Sequence, residues 1–133
     1  MAPDGGALTL ILLCDAEVRS GGSAALTLRA GNPTAGEVRI PLFASGGWAF
    51  EPVVRDAGGR EVWRRAPGRL AGTADELVLA PGEHADFAAA WDLRDREGRP
   101  VPAGEYRLSG RLLGEDGGVV GQAEAACPVR VLP

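Results

Sequence analysis

Between Pro81 and Leu113 the chain alternates apolar and polar positions twice, in PGEHADFAAAWDLRDREGRPVPAGEYRLSGRLL. In the first arm Ala85, Phe87, Ala89, Trp91 and Leu93 share one parity, and His84, Asp86, Ala88, Ala90 and Asp92 share the other. This is the period of two expected of a strand with one buried face. In the second arm Tyr106, Leu108, Gly110 and Leu112 alternate with Glu105, Arg107, Ser109 and Arg111. Between the arms Glu97-Gly98 offers a residue free to take positive φ, while Pro100 and Pro102 hold Val101 extended. The pattern predicts a long β-hairpin that turns Phe87, Trp91 and Tyr106 towards the interior.

The rest of the chain repeats the motif in shorter pieces. A strand is expected over about Ala7 to Asp15, followed by a turn at Ser20-Gly21-Gly22-Ser23. Leu26, Leu28 and Ala30 then face inward, with Thr27 and Arg29 outward. Val38, Ile40 and Leu42 mark a third strand, in which Pro41 cannot donate a ladder hydrogen bond and so belongs at a sheet edge or irregularity. Phe50 to Arg55 and Arg60 to Arg64 form a hairpin around Asp56-Ala57-Gly58-Gly59. Arg65 to Ala74 has no clean period and reads as the longest loop, before a short strand from Glu76 to Leu79 and a Pro81-Gly82 turn. After a turn at Asp116-Gly117-Gly118 a final strand runs from about Val119 to Leu132. Eight or nine strands with no helical stretch predict an all-β, immunoglobulin-like antiparallel β-sandwich. It is expected as a single domain over residues 7–133 behind a loose leader at residues 1–6.

Composition narrows the function classes. The 133 residues are 45% hydrophobic and 24% charged, enough to bury a core without metals or disulfides, and the formal net charge of -4 argues against binding nucleic acid. No apolar run approaches the ~20 residues that span a bilayer, so no membrane partner is expected. Ala7 to Cys14, ALTLILLC, has the look of a short export signal, but Met1 to Gly6 carries no basic residue and bulky Leu13 sits where a small one should precede cleavage. It reads as a strand, and the protein as cytoplasmic. Cys14 shares parity with Leu8, Leu10 and Leu12, and Cys127 with Ala123, Ala125, Val129 and Val131. Both thiols are therefore expected in the core. A Cys14–Cys127 bond is one outcome in an oxidising compartment, and reduced, buried thiols are the expectation without an export signal.

Few residues suggest chemistry. His84 is the only histidine; it follows a turn on outward parity and has no nucleophile motif to serve, so no catalytic residue is assigned. Asp92, Asp95 and Glu97 offer oxygen ligands, but their spacing is not that of a helix-loop-helix calcium site, and hairpin loops use Asp to bind their own backbone. No metal or cofactor is expected. Of three tryptophans that could line a sugar platform, Trp91 and Trp63 read as core anchors, leaving Trp48 beside Gly46-Gly47 as the exposed candidate. Arg64, Arg65 and Arg69 cluster at the irregular loop. Such a loop either enters a partner's cleft or remains a solvated segment whose arginines pair with nearby carboxylates.

The ordered succession Phe50-Glu51-Pro52-Val53-Val54, Asp56, Gly59, Val62-Trp63-Arg64, Leu79, Pro81-Gly82-Glu83, Phe87, Trp91-Asp92 and Gly98-x-x-Val101-Pro102-x-Gly104-x-Tyr106 resembles the BsuPI-type intracellular proteinase inhibitor domain. The resemblance covers about Leu26 to Leu113 and implies an immunoglobulin-like sandwich that inhibits an intracellular serine protease. The chain departs from the family pattern at three places. Pro52 stands where an aromatic follows the acidic residue, Arg65 where a second tryptophan follows Val-Trp-Arg, and Leu70 where the next loop has an aromatic. The segment WDLRDREGRPVPAGEYRL is also similar to the closing hairpin of immunoglobulin-like modules in flagellar hook-capping and secreted bacterial proteins. Two functions are therefore expected: a non-enzymatic binding module whose partner is a serine protease or another protein, or an assembly module without inhibitory activity. The contact residues expected for the first are Trp48, Arg64, Arg65, Arg69 and Leu70.

Overall fold

Alternating side chains leave each strand with one apolar face, and two sheets meet on those faces. The computed structural model describes residues 8–42, 49–65, 75–114 and 118–133. Among them are eleven strands and no α-helix: β1 (Thr9–Cys14), β2 (Glu17–Arg19), β3 (Ala24–Gly31), β4 (Val38–Leu42), β5 (Phe50–Asp56), β6 (Glu61–Arg64), β7 (Asp75–Leu79), β8 (His84–Trp91), β9 (Gly104–Leu113), β10 (Val119–Gln122) and β11 (Cys127–Leu132). One sheet has the order β1-β3-β8 and the other β2-β11-β9-β5-β6, with β10 following β11 along one edge of β9. This is the expected immunoglobulin-like sandwich. No helix among the described residues is long and apolar enough to cross a membrane.

The strand count exceeds eight or nine because two long runs each break in two. The first run kinks after Cys14, where Asp15 accepts the Ala25 amide at 2.9 Å, and β2 then leaves its sheet to pair in parallel with β11. The last run breaks between β10 and β11, where the Ala123 amide bonds Gly110 of one sheet and the Glu124 amide bonds Leu10 of the other. The β3–β8 ladder, in contrast, runs on past a bend into the two-stranded β4–β7 ladder. Buried Asn32 holds that bend: its amide nitrogen donates to the carbonyls of Gly36 and Leu79, and its oxygen accepts from the amide and hydroxyl of Thr34. Pro41 sits exposed in β4 opposite Glu76, on an edge of the two-stranded β4–β7 ladder.

The stretch from Pro81 to Leu113 is not a hairpin. β8 pairs with β3 and β9 with β5, β10 and β11, so the two arms lie in opposite sheets. Periodicity determines which side of each arm is buried but not which strand lies beside it. Trp91 and Tyr106 face each other across the interior, with ring centroids 5.3 Å apart, edge to face. Residues 92–103 make the crossing. Gly98 takes φ 80°, Asp95 accepts the amides of Glu97 and Arg99, and the Trp91 indole donates to the Arg94 carbonyl at 2.9 Å. The Tyr106 hydroxyl donates to the Pro102 carbonyl at 2.6 Å, the tyrosine corner of immunoglobulin-like sandwiches.

The cysteines are not reduced. Cys14 of β1 and Cys127 of β11 form a disulfide with a Cα separation of 6.2 Å, tying one sheet to the other. Parity placed both sulfurs on inward sides, but only the docking of the sheets sets β1 against β11.

Candidate functional site

The outer face of the β2-β11-β9-β5-β6 sheet carries the densest charge chemistry in the described residues. It begins with a departure from alternation in β5, whose first five residues, Phe50 to Val54, are all buried. Phe50 and Val54 point into the core. The Phe50 ring lies so close over β9 that a Cβ at Gly110 would come within 2.3 Å of it, so only glycine fits there. Glu51 and Val53 have the outward parity. Glu51 is nevertheless only 6% exposed, because arginines from the strands on both sides close over it.

Register explains the convergence. Arg111 of β9 lies directly opposite Glu51, and Arg64 of β6 lies opposite Val53, one step along. A single carboxylate oxygen, Glu51 Oε1, accepts Arg64 Nη1 at 2.7 Å, Arg111 Nε at 2.7 Å and also Arg111 Nη2. Arg64 Nη2 donates to Glu61 Oε1 at 2.7 Å, and Glu61 Oε2 accepts Arg96 from the 92–103 crossing. Five alternating charges, Arg111, Glu51, Arg64, Glu61 and Arg96, thus bridge β9, β5, β6 and the crossing. The hydrogen bond from Arg64 is the first cause holding the Glu61 carboxyl below its usual range, and the bond to Glu61 is the main cause raising the Arg64 guanidinium.

Arg65, next along the chain, is held differently. Its Nη2 donates to the Phe50 carbonyl at 2.6 Å, and its guanidinium carbon lies 5.9 Å from the centroid of the Phe50 ring. Burial pulls its pKa below the ordinary guanidinium value. A planar cation against an aromatic face is a favourable contact. Here it occupies the position where the resemblance implies a second tryptophan. Pro52, another of the three departures, is among the most fully buried side chains.

The expected contact residues therefore divide. Arg64 and Arg65 lie together at the end of β6, half-buried and anchored, whereas Trp48, Arg69 and Leu70 lie outside the described residues. Trp63 is half-buried and packs against the core, and Trp91 is fully buried. His84 is exposed, and its charge is one of the lesser causes lowering Asp86, behind the hydrogen bond from Arg29. Asp92 bonds the Arg94 amide, and Asp95 is occupied by its own loop, whose backbone hydrogen bonds are the first cause lowering its carboxyl.

Sequence reasoning missed Glu51, Glu61, Arg96 and Arg111 as one unit. The available signal was the outward parity of Glu51 between apolar neighbours and of Arg111 in its strand. That β5 pairs with β9 could not be read from either segment.

Comparisons with known proteins agree with the architecture. Among solved structures the chain is similar to the C-terminal domain of wzt, with a TM-score of 0.61 and 8% identity over 96% of this chain and 74% of that one. It is also similar to part of a β-glucosidase from Listeria innocua, with a TM-score of 0.51 and 13% identity over 95% of this chain. The chain spans only 16% of that glucosidase. At these identities the likeness is one of fold. No curated protein matches the chain. The family model described as intracellular proteinase inhibitor, BsuPI, matches residues 13–117, which include β3 to β9, the Glu51 network and both anchored arginines. The chain belongs to the BsuPI intracellular proteinase inhibitor family.

Proposed function

We propose that the protein is a non-enzymatic binding module that inhibits a serine protease, with Trp48, Arg64, Arg65, Arg69 and Leu70 as the contact surface. The observation that carries this reading is the anchoring of Arg64 and Arg65 at the end of β6 in a chain of a proteinase inhibitor family. They immediately precede the segment that holds Arg69 and Leu70. An inhibitor needs a segment that enters a cleft or a strand edge that pairs with the enzyme, and either gains from a base whose side chains are ordered before binding.

Inhibition constants against a panel of serine proteases test the reading. Arg65→Ala, Arg69→Ala and Leu70→Ala should each raise the constant by about tenfold if they are central contacts. Arg64 is a poorer probe, because its loss also disturbs Glu51. Failure to inhibit any protease in the panel sinks the reading.

A second reading, an assembly module, draws on the outer face of the β1-β3-β8 sheet. There Ile11 and Leu13 are 46% and 44% exposed, and Ala25, Ala88 and Ala90 are exposed with them. Affinity capture read by mass spectrometry separates the two, since a serine protease among the captured proteins supports the first and an enriched structural assembly the second. The family's description as intracellular suits a cytoplasmic protein, in which thiol pools would keep Cys14 and Cys127 reduced. The disulfide favours an oxidising compartment. Thiol trapping in freshly lysed source cells distinguishes these: two labelled cysteines support the cytoplasm, and none opposes it.

A further inference from the structure

In three rungs of the two sheets an arginine stands directly opposite a carboxylate and is ion-paired to it. Arg29 faces Asp86 with contacts of 2.9 and 3.1 Å, Arg130 faces Glu105 at 3.0 Å, and Arg111 faces Glu51. One rung breaks the pattern. Arg55 of β5 stands directly opposite Arg107 of β9, both are exposed, and among the described residues neither lies within ion-pair distance of a carboxylate. Like charges directly opposite in a sheet repel, so the rung costs stability as it stands.

The nearby carboxylates are committed elsewhere. Glu61 lies opposite Arg55 on β6 but is bonded to Arg64 and Arg96, and feels Arg55 only through space. Asp56 has the opposite parity, across from Tyr106, and its Oδ1 accepts the amides of Gly58 and Arg60 in its own turn. A cleft of ≈ 440 Å³ opens over the rung, lined by Arg55, Arg107, Ser109, Asp56 and the Gly58-Gly59 turn. The Arg55 Nη1 lies 3.5 Å from the Ser109 hydroxyl. Two arginines and a serine hydroxyl line a space large enough for a small anionic group, in a protein whose net charge is -4.

We propose that this cleft is an oxyanion-binding site, in which a carboxylate or phosphate group is clamped between Arg55 and Arg107 with Ser109 as a further donor. The site is separate from the β6 contact surface. Guanidinium groups bind such anions through paired, charge-assisted hydrogen bonds, and the bound anion replaces repulsion across the rung with two attractions.

The test is a titration of the full chain, followed by NMR of the arginine Nε–H resonances, with inorganic phosphate and separately with a blocked Asp-Glu dipeptide, at ionic strength held constant with chloride. Saturable shifts confined to Arg55 and Arg107 are expected with at least one probe. The affinity should fall about tenfold or more in Arg107→Gln and in Arg55→Gln, the worth of a lost charge-assisted pair. Saturation by phosphate alone assigns a phosphate group, and saturation by the dipeptide alone assigns a carboxylate. Ser109→Ala, which removes no charge, should weaken binding less and guards against misfolding of the arginine variants. The proposal is overturned if neither probe saturates, if affinity is unchanged in all three variants, or if the shifts fall on Arg64 and Arg111 instead.

Discussion

The two ends of one sheet face hold the same residue type under opposite conditions. At one end Arg64 and Arg111 close over a carboxylate that is 7% exposed in its side chain. At the other, two strand steps along, Arg55 and Arg107 face each other with no carboxylate between them. The strands, the parity and the backbone ladder are common to both, so the difference lies in a single residue per rung: Glu51 opposite Arg111, Arg55 opposite Arg107. The first end holds each of its arginines in an ion pair, three guanidinium groups on two carboxylates, and so fixes their side chains. At the second, the carboxylate across from Arg55 on β6, Glu61, is bonded to Arg64 and Arg96, and Arg107 has an arginine opposite it.

Both ends rest on the same core, so a lesion there should affect them alike. Trp91 is fully buried and packs on Tyr106, and Trp91→Ala is expected to cost about 3–5 kcal/mol in urea unfolding. A loss confined to one end in hydrogen exchange would show that the platform is not shared. Reduction of Cys14–Cys127, whose sequence separation is 113, should cost about 2–4 kcal/mol by freeing the unfolded chain, measured as the shift in urea midpoint with and without reductant.

Local substitutions should then separate the ends. Glu51→Ala leaves Arg64 and Arg111 confronting each other. Removing one partner of a fully buried pair costs roughly 3–5 kcal/mol. Because the arginine side chains keep 32% and 34% of their surface in solvent, about 2 kcal/mol is expected, again by urea unfolding. Acid should act at this end too. The folded-state pKa of Glu61 is depressed, chiefly by the Arg64 hydrogen bond, so its contribution is present above the ordinary carboxylate pKa and is lost as pH falls through the depressed value. The unfolding midpoint should therefore begin to drop below about pH 4, by no more than about 1 kcal/mol from this group, and Glu61→Gln should remove that part of the slope. The smallest effect belongs to the other end. Arg107→Gln relieves a like-charge rung and should change stability by under about 0.5 kcal/mol, in the stabilising direction in anion-free buffer. A loss comparable to that of Glu51→Ala would mean that the two ends are equivalent after all.

Much of the scaffold was legible along the chain. The inward sets Leu26-Leu28-Ala30, Val38-Ile40-Leu42, Phe87-Trp91 and Tyr106-Leu108-Leu112 are buried as their parity requires, because a strand's two faces are a local property of its sequence. The Pro81-Gly82 turn is closed by the Glu83 amide on the Ala80 carbonyl at 3.0 Å, and exposed His84 follows it. The Arg64 and Arg65 neighbourhood was visible as a cluster, but its carboxylate was not. Glu51 lies 13 residues from Arg64 and 60 from Arg111, and nothing in the spacing indicates that the three would meet on one oxygen.

By itself, the sequence determined the fold class, the faces of its strands, most of its turns and the family to which it belongs. Each of these depends on residues close together in the chain or on their order. Which strands lie side by side was decided only in three dimensions. That pairing turned the predicted Pro81 to Leu113 hairpin into a crossing between sheets, closed the Cys14–Cys127 bond, seated Glu51 between two arginines and left Arg55 facing Arg107. The physical reason is common to all four. Alternation specifies a face, whereas neighbours across a sheet or a core are selected by the packing of every strand at once.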